Sequence, residues 1–190
     1  SLGDKQIFFD GHVKFSSSYD NSGIRICARS SWKRTREYDW VMGEFRWTGF
    51  DYLGETFPGS GWPPRFWSHG IIDLCGFPKD HYYLYQSFWI QEPMVHVLPH
   101  WTHPGLEGVE IPVVAYSNCE QVELFLNGDS LGMCQRGELL DFQWSVPYQP
   151  GELKAVAYRD GEGVVETRHQ TASGPVEIRL EADNTDLAAD

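Results

Sequence analysis

From Ile90 onward the chain alternates short apolar runs with turn residues. Ile111 to Tyr116 is apolar almost throughout, Ser117-Asn118-Cys119-Glu120 reads as a turn, and Val122, Leu124 and Leu126 recur at every second position. That period belongs to a strand with one buried face. Asn127-Gly128 follows, a strong two-residue hairpin signal because both turn positions take positive φ. Leu139 to Val146, Leu153 to Tyr158 and Gly163 to Thr167 read as further strands, with Pro150-Gly151 and Asp160-Gly161 as turns. Strands spaced roughly 8 to 12 residues apart, with no helical period, predict an antiparallel sandwich from about Pro93 to Ser173. Past Gly174-Pro175 one more strand-like stretch, Val176 to Leu180, opens and runs out in polar sequence by Asp190.

The first 89 residues carry a different pattern. The opening to Gly23 is rich in Gly, Ser, Asp and Asn and reads as a long loop. Ser30 to Tyr38 predicts a short helix with Ser30 or Ser31 as N-cap. Trp40 to Trp47 reads as a strand buried on both faces, followed by Phe50 to Glu55 and a Gly/Pro-rich loop from Thr56 to Pro64. A strand or turn at Gly70 to Leu74 and a helix from Lys79 to Trp89 complete the region. Strand, loop and helix in that order make the unit of an α/β barrel or doubly wound sheet. One or two units leave unpaired strand edges, so this part requires something to cover them, and self-association through such edges stays open.

Composition sharpens the division. Of the 28 Phe, Trp and Tyr in the 190 residues, 21 lie in the first 89. Charge is skewed the other way: ten basic and ten acidic residues through Trp89, then five basic and seventeen acidic, for a net charge of -12. Such a surface repels phosphate backbones and anionic headgroups, which argues against nucleic acid and membrane-surface partners. No apolar run approaches the roughly 18 residues of a membrane span, and the opening lacks the layout of a signal peptide. Removal of a leader would be compatible with this, as would a secreted or periplasmic location. Cys27, Cys75, Cys119 and Cys134 lack paired C-x-x-C spacing and are too few for a disulfide scaffold, so all four read as free thiols.

Three blocks together resemble a known family. Gly43-Glu44-Phe45-Arg46-Trp47-Thr48-Gly49-Phe50-Asp51-Tyr52-Leu53-Gly54-Glu55 is similar to the last barrel strand and following loop of glycoside hydrolase family 2, the β-galactosidase and β-glucuronidase family. His69-Gly70-Ile71-Ile72-Asp73-Leu74-Cys75-Gly76-Phe77-Pro78-Lys79-Asp80 resembles the segment that closes the barrel. Pro99-His100-Trp101, Tyr116-Ser117-Asn118 and the run from Val122 to Gly128 resemble the immunoglobulin-like domain that follows. The resemblance implies an α/β plus all-β chain: the last strand/helix units of a (β/α)8 barrel over 1–92 and an immunoglobulin-like antiparallel β-sandwich over 93–175. Residues 176–190 would be a linker or the start of a further β-domain.

The resemblance also implies a retaining glycosidase acting on terminal β-linked sugars, with no cofactor, whose partners are the β-glycoside or oligosaccharide substrate and the remainder of the same polypeptide. Both catalytic glutamates of the family sit on earlier barrel strands, and the only glutamate before Glu44 here is Glu37, in the helical stretch. No catalytic residue is therefore expected in this chain, which should be inactive by itself. Trp47, at the C-terminal end of the presumed barrel strand, is the residue expected to bind substrate: family members use the matching tryptophan as a wall of the sugar pocket. Glucuronidase-like members carry an Asn-x-Lys pair that binds the substrate carboxylate. Trp67 and His69 stand at those positions, which points to a neutral sugar such as a β-galactoside.

Other residues invite chemistry without earning it. Glu44, Asp51 and Glu55 suggest an acid/base pair, but Glu44 and Asp51 have opposite parity along a straight strand, and structural carboxylates explain them better. His96, His100 and His103 suggest a metal site. Pro99 and Pro104 break the helix that would align them, and no metal is expected. The tryptophans also allow an alternative of another class, a non-catalytic carbohydrate-binding or structural β-sandwich module.

Overall fold

The alternation beyond Ile90 folds as its period requires. The computed structural model describes residues 31–53, 70–137, 141–174 and 177, together with the backbone of 8–9, 13–14 and 28–30. A two-stranded ribbon, β1 (Phe8–Phe9) with β2 (Val13–Lys14), and helix α1 (Ala28–Glu37) precede helix α2 (Asp80–Trp89). Seven strands follow: β3 (Val95–Leu98), β4 (Glu110–Ser117), β5 (Gln121–Leu126), β6 (Asp129–Gln135), β7 (Asp141–Pro147), β8 (Glu152–Arg159) and β9 (Glu162–Gln170).

They form two antiparallel sheets, one of three strands in the order β3-β4-β7 and one of four in the order β6-β5-β8-β9. Val122, Leu124 and Leu126 of β5 face inward beside Leu153, Ala155 and Ala157 of β8, with Leu124 paired to Ala155 across the sheet. Ile111, Val113 and Ala115 of β4 supply the opposing layer, joined by Phe142 and Val146 of β7. Both predicted hairpin turns are present: Asn127 and Gly128 have φ of 53° and 92°, Asp160 and Gly161 53° and 81°. Two positive-φ residues in succession match the right-handed twist of the flanking strands.

β4 is buried on both faces, because Val114 and Tyr116 are as inaccessible as their neighbours. Helix α2 packs against β3 and β4, and its Leu84 and Tyr85 belong to the same apolar core. Asn118 secures the junction: its amide donates to the carbonyls of Ile90 (3.0 Å) and Glu92 (2.7 Å), and its Oδ1 accepts from the Met94 N–H (3.0 Å). No helix of the described residues is long and apolar enough to cross a membrane.

The region before α2 departs from expectation. Trp40 to Trp47 is not a strand, and it is not buried: Trp40, Met42, Phe45 and Trp47 all stand exposed. A parallel barrel strand takes its hydrogen bonds and its burial from neighbours on both sides, and an apolar run without those neighbours has no reason to straighten. The described residues keep one parallel contact, a bridge between Phe50 and Ile72, with Ile72 also bridged antiparallel to Pro78. The barrel expected over residues 1–92 is thus not displayed. Helix α1 begins at Ala28, so Ser30 and Ser31 lie within its first turn rather than capping it. The expected strand Val176 to Leu180 apart from residue 177, the loop from Thr56 to Pro64 and the tail from Ala182 lie outside the described residues.

Candidate functional site

Trp47 lies three positions before the bridge at Phe50. The Trp47–Thr48 peptide is cis, the indole is 66% exposed, and its ring meets Tyr52 edge-on at 6.2 Å between centroids. An exposed aromatic face of this kind suits the apolar C–H patch of a pyranose.

The tract carrying Trp47 is fastened to residues 70–72. Ile71 N–H donates to Thr48 O (3.1 Å), Ile72 N–H to Gly49 O (3.0 Å) and Asp51 N–H to Ile72 O (2.9 Å). Asp51 closes the assembly from its side chain. Its Oδ1 accepts the Gly70 N–H at 2.8 Å and the Lys79 ammonium at 2.6 Å. The two side chains are almost fully withdrawn from solvent, at 4% for Asp51 and 12% for Lys79. Lys79 sits just before α2 and its own N–H donates to Ile71 O (2.9 Å), so one residue ties the bridge to the helix. Gly70 is required there: a Cβ would lie 2.2 Å from Asp51 N and 2.3 Å from Phe50 C. Asp73 organises the next turn, accepting the N–H groups of Cys75 and Phe77, each at 2.8 Å.

The remaining sequence candidates are placed apart from one another. Glu44 accepts hydroxyl hydrogen bonds from Ser31 and from Thr35 (3.1 Å), which engages it with α1, whereas Asp51 is bound to Lys79. Neither carboxylate is presented as an acid or base. Glu55, Trp67 and His69 lie outside the described residues. His96 contacts Asp80 of α2 (2.9 Å) and stacks on Tyr83 with centroids 3.8 Å apart. His100 and His103 adjoin each other at 4.6 Å, and His103 packs edge-on against Trp101 and Tyr148. Burial, then the neighbouring His100, pushes the His103 imidazole below its usual value. No group of three metal-ligating side chains occurs among the described residues. Cys75, Cys119 and Cys134 are free thiols, and burial pushes the Cys134 thiol up.

A cleft of about 280 Å³ between the helices and the sandwich is lined by Trp32, Arg36, Ser87, Phe88, Ser117 and Arg136. Trp32 stacks on Phe88 at 5.2 Å, and Arg136 spends its guanidinium on the Cys119 carbonyl. Of the sandwich aromatics, Trp101, Tyr116, Phe142 and Tyr148 are each no more than 1% exposed, and Phe125, Trp144 and Tyr158 are half-buried.

Sequence reasoning placed Trp47 at the end of the tract but did not foresee the ties that hold it. The Lys79–Asp51 pair spans 28 residues, and no local period marks a contact of that range. Gly70 was the available signal, since a glycine beside apolar Ile71 and Ile72 marks close backbone approach.

The chain is similar to known proteins along most of its length. Residues 108–165 match the family model described as a domain of unknown function, DUF4982. A putative β-glucuronidase from Formosa agariphila is 43% identical over 94% of this chain and 19% of its own length. A β-galactosidase from Bacteroides ovatus is 43% identical over 92% of this chain and 21% of its own. The crystal structure of a β-glycosidase from Bacteroides vulgatus is 49% identical and superposes with a TM-score of 0.77, over 87% of this chain and 21% of that one. Solved members of glycosyl hydrolase family 2 are also among the similar structures. The chain spans about one-fifth of the length of the curated relatives it matches.

Proposed function

Since the chain belongs with the proteins of glycoside hydrolase family 2, we propose that it is the barrel-closing and sandwich part of a retaining β-glycosidase. In this reading 1–92 contribute the end of the barrel, 93–175 the buttressing sandwich and 176–190 a linker or the start of a further β-domain. The observation that carries the reading is likeness along nearly the whole chain, at 43% identity, to a β-galactosidase and a putative β-glucuronidase alike.

The chain's own contribution is the Trp47 face, offered to the apolar side of the sugar ring, with the remainder of the polypeptide supplying the acid and the nucleophile. The engagement of Glu44 with Ser31 and Thr35, and of Asp51 with Lys79, supports that division of labour. The substrate is a terminal β-linked neutral sugar, for which β-galactosides are the first choice: Trp67 and His69 replace the amide and ammonium that would clamp a uronate carboxylate. The sandwich acts as a scaffold: Trp101, Tyr116, Phe142 and Tyr148 are core residues, and the half-buried Phe125, Trp144 and Tyr158 are engaged by Lys154, the Gly132 carbonyl and Glu123.

Kinetics of the protein that carries this sequence test the reading. Trp47→Ala is expected to lower kcat/KM for p-nitrophenyl β-galactoside at least about tenfold, the scale of losing one well-placed stacking and orienting contact. Unchanged kinetics would remove Trp47 from the site, and preferred turnover of the β-glucuronide would move the substrate class.

A further inference from the structure

Asp51 is a buried carboxylate beside Trp47, and its engagement points at Trp47 rather than at a reacting atom. Its backbone forms one rung of the bridge to residues 70–72, and its carboxylate gathers two further donors, the Gly70 N–H at 2.8 Å and the Lys79 ammonium at 2.6 Å. Tyr52, the next residue, is the ring that meets Trp47 edge-on. Three residues therefore separate the exposed indole from a buried ion pair anchored at the residue just before α2, and the intervening Thr48 and Gly49 carbonyls are held by Ile71 and Ile72. The absence of a Cβ at Gly70 is what lets the two tracts approach closely enough for this to form.

We propose that Asp51, paired with Lys79, is a positioning residue for the sugar-binding face of Trp47, fixing the 47–52 tract so that the indole is set before substrate arrives. The inference rests on the role of Trp47 proposed above. A pre-set aromatic wall loses little rotational freedom on binding, and displacement of an orienting group by about 1 Å can cost up to about a hundredfold in rate. Removal of the carboxylate charge would break the ion pair that ties the tract to Lys79, so the tract would shift.

The test is a double-mutant cycle in the protein that carries this sequence, with p-nitrophenyl β-galactoside as probe. Asp51→Asn retains an acceptor for the Gly70 N–H and removes the charge. Lys79→Met removes the partner and keeps most of the stem. Each is expected to lower kcat/KM roughly ten- to a hundredfold while near-ultraviolet circular dichroism stays native. In a Trp47→Ala background the same changes are expected to have no more than about a twofold further effect, because Asp51 acts through the indole. A loss through general destabilisation would be equal in both backgrounds, and that result would overturn the proposal. The proposal would also be overturned if Trp47→Ala is damaging but Asp51→Asn and Lys79→Met are both silent, and in that case the role of Trp47 stands. If Trp47→Ala is itself silent, both readings are overturned together. Should Asp51→Asn fail to fold, Lys79→Met in the two backgrounds supplies the same comparison.

Discussion

At the residue scale, His96 and His103 serve packing and junctions. His96 joins β3 to α2 through Asp80, and His103 fills a site walled by Trp101, Tyr148 and His100. Because burial lowers the affinity of His103 for a proton, the unfolded chain takes up that proton more readily than the native one. The sign follows: its contribution to stability is complete above the ordinary value of 6.5, falls as pH drops from there toward the lowered native value, and is level below it. Urea midpoints at pH 7.5 and 5.5 check this. The wild type is expected to lose stability at the lower pH, and His103→Gln to narrow the gap between the two. An unchanged gap would assign the acid sensitivity to other groups.

At the level of elements, what the sequence displayed was local. Strands β4, β5, β7, β8 and β9 lie close to the apolar runs that announced them, and Asn127-Gly128 and Asp160-Gly161 made their own turns. The β1–β2 ribbon falls in the opening read as a loop, and two strands of the sandwich were less visible. β3 is four residues, Val95–Leu98, set among His96 and Pro99 with no alternation long enough to read. β6, Asp129–Gln135, is an edge strand exposed along nearly all its length, so burial never imposed a period on it; only the preceding hairpin turn implied it. The tract from Trp40 to Trp47 failed for the opposite reason. Its apolar residues were plain, but strand structure there depends on neighbours that these 190 residues do not provide among those described.

Helix α2 illustrates why the boundary near residue 92 is a boundary of sequence pattern and not of packing. Leu84 is fully buried in the core that β4, β5 and β8 line, and Asn118 binds the chain just beyond the helix. Leu84→Ala is expected to cost about 2–5 kcal/mol, the range for a large-to-small change at a packed site. Helix and sandwich should lose structure in one transition. Urea unfolding followed in parallel by far-ultraviolet circular dichroism and tryptophan fluorescence checks both points: separate transitions would show α2 to be a separable element.

At the scale of the whole molecule the two halves differ in how finished they are. The sandwich buries its aromatics wholly or in part, while the tract from Tyr38 to Leu53 turns Trp40, Met42, Phe45, Trp47 and Phe50 outward, and Phe77 and Trp89 do likewise. In the proposed reading the remaining barrel strands cover most of these side chains, and Trp47 is left to face the sugar. Retaining hydrolysis needs two carboxyl groups about 5 Å apart across the scissile bond. Glu44 and Asp51, on either side of Trp47, are committed to α1 and to Lys79 instead.

The most direct measurement is the activity of these 190 residues by themselves. Incubated at high concentration with a chromogenic β-galactoside, the isolated chain is expected to release no chromophore above buffer, while the longer protein that carries the sequence turns over. Turnover by the isolated chain, abolished by replacing any one of its own Asp or Glu residues, would contradict the account.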